Sequence, residues 1–172
     1  MAKIQLDGAL RDAVLNQVLY SIQDPNWVGV VSRWDEDNNL VWSDNSLANG
    51  QQVVPGGGAA HAEEVMIRKW TERLQQARIA SPTIVEIFVT RSPCVDRSQA
   101  RQFMGTFWPV GCMNKLRALI NIESDVQDWR IAFLNYYQEG FVVDAKVYGS
   151  LALLNKMERV DIYWWRERHD GI

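Results

Sequence analysis

Apolar side chains at Leu6, Leu10, Val14, Val18 and Ile22 recur every fourth position, and the series stops ahead of Asp24 and Pro25. That spacing makes one helix face apolar and predicts an amphipathic first helix. Two β-rich runs follow, Val28 to Trp34 and Leu40 to Trp42, and the polar stretch 35–39 between them predicts a hairpin. Residues 45–60 are polar and rich in glycine, with Gly56, Gly57 and Gly58 in a row, and read as a connection. Ala62, Met66, Trp70, Leu74 and Ala77 then form the buried stripe of a second helix. Positions 83–90 are almost continuously apolar, broken by Glu86, which is the pattern of a central parallel strand. Met113, Leu116, Leu119 and Ile120 predict a third helix, and 129–136 a fourth strand. Val147, Leu151 and Leu154 predict a fourth helix with Asp144 as its N-cap, and 160–165 a fifth strand.

The order is helix, two strands, then alternating helix and strand, which predicts an α/β sheet with helices on both faces. A helix between the last two strands requires them to lie parallel, because no tight hairpin can join them. Ligands of such sheets gather at the carboxyl ends of the strands. With 172 residues, 47% apolar, and eight Trp, the chain reads as one globular domain over 1–172. Trp27, Trp34, Trp42, Trp70 and Trp129 are read as core. A net charge of −3 excludes a global basic field, so nucleic-acid contact has to come from a local patch. No apolar run approaches the ~20 residues of a membrane span, and Met1 to Ala9 lacks the layout of a signal peptide. The expected site of action is therefore cytoplasmic, with no membrane partner, although such a domain is also delivered as part of a larger effector. Two cysteines are too few for a disulfide scaffold, and as thiolate ligands they need a reducing compartment or a metal.

The candidate chemistry lies in His61-Ala62-Glu63, at the start of the second helix, and in Pro93-Cys94 and Cys112 further on. Taken singly, His61 reads as a capping or surface histidine and the cysteines as buried thiols. Their coincidence, H-x-E at a helix start and P-C at a strand end, reads as a zinc site. His61, Cys94 and Cys112 supply three protein ligands, leaving the fourth position of Zn2+ for water. Glu63 lies two residues beyond His61, off its helix face, which suits a proton carrier better than a ligand.

This constellation resembles the H-x-E…P-C-x-x-C pattern of zinc-dependent nucleobase deaminases. The element order resembles the cytidine deaminase-like fold, a three-layer α/β/α sandwich with a five-stranded mixed sheet whose strands 4 and 5 are parallel. Within that superfamily the chain is most similar to the AID/APOBEC-like polynucleotide cytosine deaminases, including toxin-type domains. Phe88-Val89-Thr90-Arg91-Ser92-Pro93-Cys94 resembles their strand ending in Ser-x-Ser-Pro-Cys, with Thr90 and Arg91 departing from it. Arg130-Ile131 through Tyr136-Tyr137 resembles their fourth strand and the Tyr-bearing loop that reads the nucleotide 5′ to the target. The 29 residues between Glu63 and Pro93 (64–92) match the length of the superfamily's helix-plus-strand unit. The large departure is the spacing of the cysteines: the seventeen residues 95–111 separate Cys94 from Cys112, where the family has only a few. They are read as an insertion that loops out and returns, carrying Arg97, Arg101, Phe103, Phe107 and Trp108 beside the site.

The resemblance implies hydrolytic deamination of cytosine to uracil, with zinc activating water and Glu63 as the catalytic proton carrier. It implies substrate contacts from the Ala62 N–H, Ser92, Asn45, Asn49, Tyr136 and Tyr137, with solvated loop positions for the two asparagines and packing for the two tyrosines as the alternative readings. Arg91, Arg97 and Arg101 are read as phosphate contacts or as solvated charges. Single-stranded DNA is the favoured substrate, with a cognate immunity protein as partner if the domain is a toxin. The alternatives are a free cytidine, deoxycytidine or nucleotide deaminase of pyrimidine salvage, and a non-catalytic binding module on the same fold.

Overall fold

The computed structural model describes residues 28–36, 39–48, 61–77, 83–103, 105–135, 138–139, 142–143 and 145–164. The predicted hairpin is strand β1 (Val28–Glu36) paired antiparallel with β2 (Asn39–Ala48), with a register irregularity between Trp34 and Asp35. Helix α1 (Ala62–Ala77) leads into β3 (Ile84–Arg91). Two three-residue strands, β4 (Arg101–Phe103) and β5 (Thr106–Trp108), form a small hairpin before helix α2 (Cys112–Ile122). Strand β6 (Asp128–Asn135) follows, then a two-stranded pair, β7 (Gln138–Glu139) and β8 (Val142–Val143). Helix α3 (Ala145–Leu154) and strand β9 (Val160–Trp164) complete the described chain.

Five strands form the main sheet in the order β2-β1-β3-β6-β9. β1 runs antiparallel to β3, whereas β3, β6 and β9 are mutually parallel. The last two main strands, β6 and β9, are therefore parallel, as a connecting helix requires. From β3 to β6 to β9 the chain steps the same way along the sheet, so right-handed crossovers put α2 and α3 on one face. Helix α1 packs against α2, and α2 against α3, so the three form one layer.

The core lies between that layer and the sheet. Val85, Ile87 and Val89 of β3 stand beside Trp129, Ile131 and Phe133 of β6, and Trp129 and Ile131 beside Val160 and Ile162 of β9. Alternate residues share a sheet face. All eight belong to one buried cluster with Met66, Ile67 and Trp70 of α1, Leu116, Leu119 and Ile120 of α2, and Val147, Leu151 and Leu154 of α3. Trp70 stacks on Trp129 at 5.3 Å and 13°, tying α1 to the sheet centre. Arg159 donates to the carbonyls of Glu123 and Ser124 (2.9 and 2.8 Å) and to those of Ile120 and Val126, which caps the C-terminal end of α2.

Helices on both faces were expected, but the described helices all pack on one. The opposite face is polar at one end, where Arg130 bridges Glu86 (3.2 Å) and Asp128 (2.6 Å). Further along it Phe88 and Ala132 are buried outside the main cluster. The helix read over 6–22, Trp27, the glycine run 56–58 and Asp144 lie outside the described residues, as do Asn49, Tyr136 and Tyr137. No helix among the described residues is long and apolar enough to cross a membrane.

Candidate metal centre

Three separate segments bring the candidate ligands together. His61 stands immediately before α1, and its carbonyl accepts from the N–H groups of Glu64 and Val65 (3.0 and 3.2 Å), which starts the helix. Cys94 lies three residues past the end of β3, at the carboxyl end of a central parallel strand. Cys112 is the first residue of α2. The Cys112 N–H donates to Cys94 Sγ (3.5 Å) and the Met113 N–H to the Cys94 carbonyl (2.9 Å). His61 Nδ1 lies 3.5 Å from Cys94 Sγ. One donor atom from each of His61, Cys94 and Cys112 lies within 4.8 Å of the others, a group able to hold a metal ion. Two helix N-termini converge on it, and their partial positive charge favours thiolates there.

The charge state of the site follows from this crowding. A hydrogen bond from the Cys112 thiol holds Cys94 down to about 3, and His61 adds to the effect against the pull of burial. Burial and its hydrogen bond to the Cys94 thiolate drive Cys112 well above the ordinary thiol range. Burial lowers His61, but the Cys94 hydrogen bond and the nearby Glu63, Cys94 and Glu64 charges outweigh it, and the net direction is upward. Glu63 is buried and points its chemistry at the same group: burial first, and the Cys94 thiolate second, raise its carboxyl to about 7. A carboxyl held there can both take and give a proton at neutral pH.

Ala62 and Ser92 are both buried close to the ligands in sequence, and Arg91 is the half-buried last residue of β3. Asn45 does not sit on a connecting loop as expected: β2 runs on to Ala48, and Asn45 pairs with Val31 inside it.

The insertion corrects the sequence reading most. Residues 95–111 do not dangle: Arg101, Phe103 and Trp108 are buried, and Phe103 stacks on Trp108 at 5.3 Å. Arg101 is therefore not a surface phosphate contact. Its Nε donates to Glu64 Oε1 at 3.0 Å, with both side chains fully buried. Arg97 and Phe107 do remain exposed. Sequence reasoning also passed over Glu64, Ser98 and Lys115, all buried. One signal was available, since a Glu three residues into a helix commonly returns to the capping position. Glu64 Oε2 accepts from the His61 N–H at 2.8 Å.

Set against known proteins, the chain matches no family model and no curated protein.

Proposed function

We propose that the chain is a zinc-dependent cytosine deaminase on a cytidine deaminase-like three-layer fold, acting on nucleic acid with single-stranded DNA favoured. The observation that carries the reading is one imidazole and two sulfurs gathered within 4.8 Å beside a buried carboxyl raised to about 7. The donor set fits zinc, which takes Cys sulfur at ~2.3 Å and His nitrogen at ~2.0 Å and keeps an open position in catalytic sites. When bound there, zinc supplies Lewis acidity that makes water a nucleophile at neutral pH.

The remaining work falls to this chain's own side chains. Glu63 accepts the proton of the attacking water and passes it to ring N3 of the cytosine. Oxygen bonds to C4, and Glu63 then takes the remaining proton from that oxygen and delivers it to the exocyclic amino group. The C4–N bond breaks, releasing ammonia and leaving uracil with its C4 carbonyl. The buried setting keeps bulk water from competing for that proton.

A second reading, deamination of free cytidine, deoxycytidine or their nucleotides, draws support from the net charge of −3 and from the burial of Arg101, which leaves fewer cations for a phosphate backbone. Uracil formation measured in a single-stranded oligonucleotide and in the monomers separates the two. The expected result is uracil in the oligonucleotide, abolished in Glu63→Gln while zinc content is retained. Turnover of the monomers alone would replace the first reading by the second. No turnover of any substrate would leave a binding module.

A further inference from the structure

We propose that Glu64, Arg101 and Lys115 form a buried positioning triad that makes the 95–111 insertion part of the metal centre's scaffold. The inference rests on the reading of His61, Cys94 and Cys112 as ligands.

Each ligand-bearing segment is tied to the triad. His61 stands where a helix-capping side chain would stand, but its imidazole faces Cys94 instead. Its backbone N–H is held by Glu64 Oε2 at 2.8 Å, so the carboxylate fixes the residue that presents the ring. The other oxygen, Oε1, meets Arg101 Nε at 3.0 Å and Lys115 Nζ at 3.3 Å, all fully buried. Lys115 lies three residues beyond Cys112 in α2, so the two share a helix face. Lys115 also donates to Ser98 Oγ (2.8 Å) and to the Gln99 carbonyl (2.6 Å), four and five residues past Cys94. The Ser98 carbonyl in turn accepts from the Gly111 N–H at 2.9 Å, which closes the insertion next to Cys112.

Stability alone does not account for such a group. Burying ionised side chains carries a large desolvation cost, and well-packed apolar replacements are often as stable or more so. What the triad supplies is register: it links His61, the segment after Cys94 and the helix of Cys112 through one carboxylate. Groups that orient metal ligands from behind typically alter metal affinity by about 10–100-fold when removed.

The test is zinc affinity, by competition with a chromogenic chelator, in the full chain and its Glu64→Gln, Arg101→Gln and Lys115→Met variants. Glu64→Gln keeps the shape and an acceptor for the His61 N–H, so it remains informative where Lys115→Met does not fold. Melting temperatures with and without zinc, and thiolate-to-cobalt absorption of the Co2+-loaded proteins, accompany it. The expected result is zinc binding weakened about 10–100-fold in each folded variant, an altered cobalt spectrum, and a smaller rise in melting temperature on adding zinc. Variants whose zinc affinity and cobalt spectrum match wild type, while both melting temperatures fall together, would reduce the triad to packing and overturn the proposal. A wild-type chain that binds no zinc would overturn the ligand reading itself, which is a separate outcome.

Discussion

Glu63 holds a buried carboxyl two residues from His61, and that placement costs the metal-free protein stability. In the unfolded chain the group ionises near 4.5, and in the folded metal-free site near 7. Because the folded value is the higher one, its contribution is fully favourable below about 4.5 and is lost as pH rises through about 7. The difference, 7 − 4.5 = 2.5 pH units, corresponds to a penalty on the order of 3 kcal/mol at alkaline pH. Glu63→Gln removes the charge at nearly constant shape. Urea unfolding with a chelator present should therefore find Glu63→Gln more stable than wild type at pH 8, with the gain shrinking toward pH 5. A gain that does not vary with pH would contradict this account of Glu63. The sequence pointed to Glu63 and to the His61, Cys94 and Cys112 group because residue type alone restricts such candidates: few side chains bind zinc, and few carry protons. Glu64, Arg101 and Lys115 were opaque for the opposite reason. Charged residues are usually solvated, and Arg101 meets a partner 37 positions away that no local pattern reveals.

At the scale of elements, the long amphipathic pieces followed their periodicity. Met66 and Trp70 of α1, and Leu116 and Leu119 of α2, are buried as their spacing requires. The β4–β5 hairpin was not legible, since strands of three residues offer too few positions for alternation to register. Two glycines, Gly105 in its turn and Gly111 beyond its second strand, make a sharp contrast. Gly105 has φ +72° with open space around its missing side chain, whereas at Gly111, φ +81°, a Cβ would lie 1.6 Å from the Val95 carbonyl oxygen. Gly105→Ala should cost only the left-handed backbone penalty, about 1–2 kcal/mol. Gly111→Ala must in addition move the backbone that leads into Cys112, so it should lose substantially more stability and bind zinc less tightly. Denaturant midpoints and zinc titrations of the two variants check this, and equal losses would mean that the close approach of Gly111 to Val95 is not a constraint.

At the scale of the whole molecule, the parallel β3-β6-β9 core does what no segment can do alone. It sets Cys94 at the carboxyl end of a central strand and brings the starts of α1 and α2 to the same place. The alternation of helix and strand made this sheet and its parallel last pair legible from the sequence. How residues 95–111 return Cys112 to Cys94 was not, because that closure rests on buried polar contacts and on the positive-φ Gly111. X-ray absorption of the zinc-loaded chain tests the convergence of the three segments most directly. The account predicts two sulfurs at ~2.3 Å and two nitrogen or oxygen neighbours at ~2.0 Å, with one sulfur lost in Cys112→Ala. A zinc ion surrounded by light atoms only, or one whose sulfur count is unchanged in that variant, would contradict it.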